Sequence, residues 1–394
     1  MMKSIERPLK AIASLRLTVV LFACAMFLIL AGTLAQVHEG IWTVVDRYFR
    51  SLVVRIELQI FVPSDIARVP GAILFPGGFL IAGVLLVNLL AAHAIRFKLS
   101  ARRLGIILTH LGVILLLVGE FVTGLAAQEG NMSIDEGGSS NYVEDIRSAE
   151  LAVIDPSDPK DDLVVVVPDR ELARAREPIS TGLLPFQVRV DQWMPNSQLL
   201  GPAQAPAEVR GKADFGFGTS VFAVPAPRAT GVDGQTTDVP SAYVTLLKNG
   251  QKLGSYLVSV YLDEAQPIVV DGKSYDLRLR FKRTYKPYTL HLVDFRHDKF
   301  VGTEIARNFS SKVRLVDPTR QVDREVLIRM NSPLRYAGET FYQASFKEND
   351  SGTVLQVVRN PGWLLPYVSC GMVGVGMLYH FAMRLAPAVR RRTA

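Results

Sequence analysis

Leu104-Gly-Ile-Ile-Leu-Thr-His-Leu-Gly-Val-Ile-Leu-Leu-Leu-Val-Gly-Glu-Phe-Val-Thr-Gly-Leu-Ala126 is interrupted by only two ionisable side chains, His110 and Glu120. A bilayer core of roughly 30 Å is crossed by ~20 apolar residues in a helix, and this run is long enough. Three further runs match it, at 17–36, 72–95 and 362–383. Together they predict a multi-pass α-helical membrane protein with four transmembrane helices. The run at 17–36 is too long for the apolar stretch of a secretory leader, and three more follow it, so it reads as a span although Thr33-Leu34-Ala35 loosely resembles a cleavage site.

The charges between the runs orient them. Lys3, Arg7, Lys10 and Arg16 precede the first run. Arg96, Lys98, Arg102 and Arg103 fill the 96–103 loop with no acidic residue. Arg384, Arg390, Arg391 and Arg392 fill the 384–394 tail. Under the positive-inside rule all three face the cytoplasm of a bacterial inner membrane, with residues 1–16 inside and 37–71 and 127–361 outside. The net charge of +7 is thereby accounted for. The basic residues form no stripe interleaved with aromatic ones, so no nucleic-acid partner is expected.

The whole chain has a mean hydropathy of +0.21 and 49% hydrophobic residues, yet 127–361 has the mixture of a water-soluble domain. Period-two alternation occurs at 186–190, 242–247, 256–261, 275–281, 289–293, 312–316, 325–329 and 353–358. Asn249-Gly250 and Asp271-Gly272 sit between such runs, where two-residue hairpin turns place them. The expectation is a large antiparallel β-rich extracytoplasmic domain, sandwich-like or an open barrel. Residues 199–239, rich in Pro, Gly, Ala and Thr, read as a long loop or irregular insertion. No internal repeat is found.

Catalytic motifs are missing. The sequence has no phosphate-binding glycine loop, no His-Glu-x-x-His, no Cys-x-x-Cys and no nucleophile elbow. His291, Asp294 and His297 lie close together, and on a regular strand positions 291 and 297 share a face, although a structural role suits them better. Cys24 and Cys370 fall in apolar runs and read as buried small residues, so 127–361 does no thiol chemistry of its own.

The histidines carry more information. His38 follows the first run on its outer side. His110 stands six residues into the third run, roughly 9 Å deep at 1.5 Å per residue. His380 lies four residues before Arg384, roughly 6 Å deep, and His93 three residues before Arg96. An ionisable group inside a membrane is costly and is retained for a purpose. An interhelical hydrogen bond is the plain role for His110, and a side chain reaching the head groups is the plain role for His93 and His380. The alternative is axial ligation of haem iron, which a neutral imidazole suits.

Three stretches resemble the ResB (CcsB) family, a membrane subunit of the system II cytochrome c synthase. One is Ser14-Leu-Arg-Leu-Thr18 through Ala31-Gly-Thr-Leu-Ala-Gln36. The second is Leu108-Thr-His-Leu-Gly-Val-Ile-Leu-Leu-Leu-Val-Gly119. The third is Ser332-Pro-Leu-Arg-Tyr-Ala-Gly-Glu-Thr-Phe-Tyr-Gln343 with Thr353-Val-Leu-Gln-Val-Val-Arg-Asn-Pro-Gly-Trp363. The resemblance is weak over roughly 150–240.

It implies a subunit that works with a ResC/CcsA-type multi-span partner, delivers haem b across the membrane and helps attach it to apocytochrome c. Thioredoxin-like proteins would reduce the substrate cysteines. In fused members of the family a histidine of the third ResB span pairs with one from the partner half to hold haem. His110 occupies that position, so it is the expected haem iron ligand, with His380, His93 and His38 as lesser candidates. The tryptophan-rich haem-handling loop belongs to the partner; Trp42, Trp193 and Trp363 here form no cluster. Two other readings stand beside this one: a bis-histidine haem b electron-transfer subunit using His110 and His380, and a haem-free assembly scaffold.

Overall fold

A computed structural model of the chain describes residues 10–62, 66–96, 100–159, 161–228, 238–299, 302 and 306–393. The chain divides into two compact units, a helical one made of the residues up to Gln128 with those from Arg359 onward, and a β-rich one between them.

The helical unit contains four long helices: α1 (Leu15–Glu39), α2 (Gly78–Arg96), α3 (Leu104–Ala126) and α4 (Leu365–Thr393). Each is long and apolar enough to cross a membrane. α1 stops at Gly40, whose φ of 77° is available to glycine and whose N–H bonds Gln36 O. A helical turn (Ile41–Val44) then leads into a π-helical turn (Val45–Phe49).

The second apolar run differs from its reading as a helix over 72–95. Ala72–Pro76 is a strand, β2, paired antiparallel with β1 (Val53–Glu57), and the helix starts only at Gly78. β1 alternates, burying Val54 and Ile56. These two join Leu28, Ala31, Tyr48 and Ile81 in a small core, which gives the first loop a fixed shape. The cysteines also differ from the expectation of burial: Cys24 is half-buried and Cys370 is exposed on the outward side of α4. Both sit on helices whose outward sides are apolar, so burial within the chain is not what makes a cysteine tolerable there.

The β-rich unit is built around two very long strands, β4 (Ser139–Asp155) and β12 (Lys273–Lys299), paired antiparallel. The flanking strands are β3 (Gln128–Asp135), β5 (Leu163–Pro168), β11 (Gln266–Val270), β13 (Ala306–Asp317), β14 (Val322–Arg329), β15 (Leu334–Tyr336), β16 (Glu339–Phe346) and β17 (Gly352–Arg359). They form one ten-stranded sheet in the order β14-β13-β12-β4-β3-β17-β16-β15, with β11 on β12 and β5 on β4. A second sheet of three strands has the order β10-β9-β6, where β6 is Gln187–Met194, β9 Ser241–Lys248 and β10 Gln251–Ser259.

Register shifts between Phe281 and Arg283 and between Tyr285 and Leu290 divide β12 into two halves. Such irregularities bend a strand and re-aim its faces. The first half joins the three-stranded sheet over one core, with Leu277, Leu279, Val244, Leu246 and Val258 inside. The second half builds another core with Leu290, Leu292, Val313, Phe341 and Leu355. The unit is thus sandwich-like at one end, and at the other Val313 of β13, Ile328 of β14 and Phe341 of β16 share one core.

Asn249-Gly250 and Asp271-Gly272 make the expected hairpins, with all four residues at positive φ. The insertion read at 199–239 is mostly turns, as expected, but it also holds β8 (Phe222–Pro225), paired with β7 (Ser197–Leu200), and a small core of Ala205, Val209 and Phe222. Its 229–237 portion lies outside the described residues.

Candidate functional site: an imidazole cluster between apolar helices

Glycine spacing decides how the helices meet. Gly105, Gly112 and Gly119 recur every seventh residue on α3, and each is buried. A Cβ at Gly112 would stand 2.7 Å from Val373 Cγ2 and 2.8 Å from Ser369 O, and one at Gly119 3.0 Å from Leu365 Cβ. A Cβ at Gly376 would in turn stand 2.7 Å from Thr109 N. Hence α3 and α4 run antiparallel with their backbones in near contact, as small residues permit in a medium where no hydrophobic force drives helices together. A seven-residue repeat keeps the glycines facing α4 over two heptads with a slight left-handed coiling of the pair.

On its other side α3 meets α2. Phe79 and Phe121 meet with tilted rings 5.2 Å apart at one end, and His93 and His110 meet 5.0 Å apart at the other. α1 is tied to α2 through the buried Asn88, which accepts from Thr18 Oγ1 at 2.8 Å and donates to Ile12 O and Ser14 O. These contacts hold α2 in place one and a half turns from His93.

His93, His110 and His380 therefore sit at one end of the unit, the end with Arg102, Arg103 and Arg384. His93 and His110 are brought together, with ring planes at 81°. His93 Nδ1 donates to Leu89 O at 2.9 Å, since a carbonyl oxygen can only accept. His380 faces Gly105, roughly 7.5 Å along α3 from His110. Its Nδ1 is buried and has no hydrogen-bond partner among the described residues. His38 is not part of the group: it stands one residue before the end of α1, away from Arg16, and its side chain lies outside what the structure describes.

Three imidazoles in an apolar, largely dry setting are donors that suit haem iron. A buried imidazole nitrogen without a partner, as in His380, is a group that gains by finding one. The donor set thus fits haem. It does not suggest a structural metal centre, and among the described residues no three His, Cys, Asp or Glu side chains converge on a point.

The pairing of His291 with His297 is overturned. β12 carries a bulge between Leu292 and Asp294, so His291 pairs with Arg314 while His297 pairs with Phe309. Positions 314 and 309 have opposite parity on the regular β13, which puts the two histidines on opposite faces. His297 turns inward, packs on Phe309 and Phe346, and bonds Asp350 at 2.8 Å. No nucleophile is assembled there.

Two features of the helical unit went unread in the sequence. One is the heptad of glycines, legible by its spacing. The other is Tyr48, fully buried with its hydroxyl unpartnered among the described residues. Burial and the neighbouring Glu39 push its pKa up to about 12. Nothing in the residues around position 48 signals that burial, because it depends on the fold of the first loop.

Comparison with known proteins bears on the family. Residues 253–354 match the ResB-like family, a segment within the β-rich unit that includes the Ser332–Gln343 stretch. Protein NrfI of Wolinella succinogenes is 28% identical over 117 residues, covering 30% of this chain. The aligned part is only 13% of that relative's length. Together with the resemblance carried by 14–36, 108–119 and 332–363, these matches make the chain similar to the ResB-like family over part of its length.

Proposed function

We propose that the chain is a subunit of a cytochrome c biogenesis complex in the bacterial inner membrane, where it holds haem b in transit between its helices. The observation that carries this reading is the place of His110, inside an apolar helix and in ring contact with His93, with His380 on the facing helix. His110 supplies one axial imidazole and a multi-span partner of the ResC/CcsA type supplies the other. Haem iron would be held by these imidazoles as cargo, to be passed on to apocytochrome c. The chain's own residues fix the imidazole's depth, exclude water through the α3–α4 glycine seam, and present the β-rich unit as the surface for partner and substrate. Basic loops at 96–103 and 384–394 orient the helices with that unit outside. Thioredoxin-like proteins keep the substrate cysteines reduced.

A second reading is favoured by His380, whose buried Nδ1 has no partner among the described residues: His110 and His380 together bind haem within this chain. One experiment separates the two. The chain is purified alone and with its multi-span partner, and haem is measured by visible spectroscopy. Haem retained only by the pair supports the shared site. Stoichiometric haem in the chain alone supports the internal site. A haem-free pair that still matures cytochrome c contradicts both.

A further inference from the structure

Building on the haem-holding role proposed above, we infer that His93 is a positioning residue for His110: from α2 it fixes the ring plane and the coordinating nitrogen of the imidazole on α3, and does not itself bind the cargo. One nitrogen of His93 is committed and the other is closed to solvent. Nδ1 donates to Leu89 O at 2.9 Å, and Nε2 is buried from solvent. The Leu89 bond also stops the His93 ring from turning, because rotation would break it and leave a polar group in an apolar setting.

The fixed ring then acts on its neighbour. His93 and His110 meet edge to face, 5.0 Å between centroids and 81° between planes. In such an arrangement each ring lies in the rotational path of the other. α2 is pinned at its start by Phe79 against Phe121 and at its middle by Asn88 against α1, so His93 does not retreat to let His110 turn. His110 Nδ1 is itself buried, so the ring is enclosed on that side.

The same geometry excludes the two as a pair of axial ligands. Axial imidazoles have the macrocycle between them, and rings in edge-to-face contact leave no slot for it. Only one of them serves the iron, and the other orients it. Metal-binding histidines are ordinarily held by a second group, whose loss weakens binding about 10–100-fold.

The test uses the full chain with ¹⁵N-labelled histidine, haem-free in detergent, and the haem-loaded complex with its partner. In the haem-free wild type, nitrogen shifts show one dominant tautomer of His110. In His93→Ala both tautomers appear. In the loaded complex, His93→Ala retains haem with affinity lowered about tenfold or more, and its low-spin ferric EPR signal broadens. His93→Phe, which keeps a ring at the contact, restores a narrow signal. His93→Gln behaves as His93→Ala, because it can bond Leu89 O but presents no ring; it serves as the readout should His93→Ala not fold. An unchanged His110 tautomer and EPR signal in these ring-less variants overturns the inference. The two ideas fail separately: an unaltered spectrum in His110→Ala removes the haem role, whereas an unaltered tautomer in His93→Ala removes the positioning role even where haem binds.

Discussion

A Cβ added to Gly105 would stand 2.7 Å from the backbone nitrogen of His380 and 2.8 Å from its Cβ. No side chain separates the two helices at that level, so the depth and facing of His380 relative to α3 depend on an absent methyl group. Gly105→Ala and Gly112→Ala therefore force α3 and α4 apart. Overpacking of this kind costs about 1–3 kcal/mol. Thermal unfolding of the detergent-solubilised chain should register it, together with lower haem retention. Gly371→Ala is the matched control, since nothing lies within 4 Å of a Cβ there.

The buried tyrosines separate by their hydroxyls. Tyr48 has no partner among the described residues, whereas Tyr243 accepts from Ala223 N at 3.0 Å and donates to Ala223 O at 3.3 Å. Tyr48→Phe should be neutral or stabilising, because it removes a desolvated polar group. Tyr243→Phe should lose about 1–3 kcal/mol by stranding backbone groups. Opposite signs in a melting comparison are the expected outcome.

Glu150 and Arg280 pair at 3.0 Å across β4 and β12, with only 7% and 5% of their side chains exposed. Removing one member leaves a buried charge alone, at a cost of roughly 3–5 kcal/mol. Arg280→Met with Glu150→Leu should cost far less than the sum of the single changes. Denaturant titration of the four proteins gives the coupling directly.

Acid should weaken the β-rich unit through Asp317. The Tyr336 hydroxyl at 2.7 Å, with the backbone N–H and guanidinium of Arg320, holds its carboxyl below the usual range. The Lys273 ammonium and Ser157 do the same for Asp155. A carboxyl whose folded pKa is depressed binds fewer protons folded than unfolded. Its contribution is thus complete above the ordinary value of about 3.9 and is lost as pH falls through the lower folded value. Melting temperature against pH should show Asp317→Asn below wild type at pH 6, with the gap closing under about pH 4.

Much of this was legible in the sequence, for local reasons. α3 was readable because the run from Leu104 to Ala126 offers no other way to satisfy its backbone in an apolar medium. The hairpins at Asn249-Gly250 and Asp271-Gly272 were readable because few residue pairs tolerate two positive φ values in succession. Ala72–Pro76 was misread because a five-residue strand inside an apolar run has no period of its own, and only its partner Val53–Glu57 reveals it. His291 and His297 were misaligned because a bulge at residue 293 leaves no mark in the alternation. The His93–His110 contact could not be read at all: it joins residues on two helices, and its geometry comes from the Phe79–Phe121 and Asn88 contacts that set their separation.

If His110 is an axial ligand of haem iron, the visible spectrum of the purified complex must change between wild type and His110→Ala. His110→Ala should lose most of the haem and the low-spin spectrum, with partial recovery on adding free imidazole. Unchanged haem content and an unchanged low-spin spectrum in His110→Ala would contradict it.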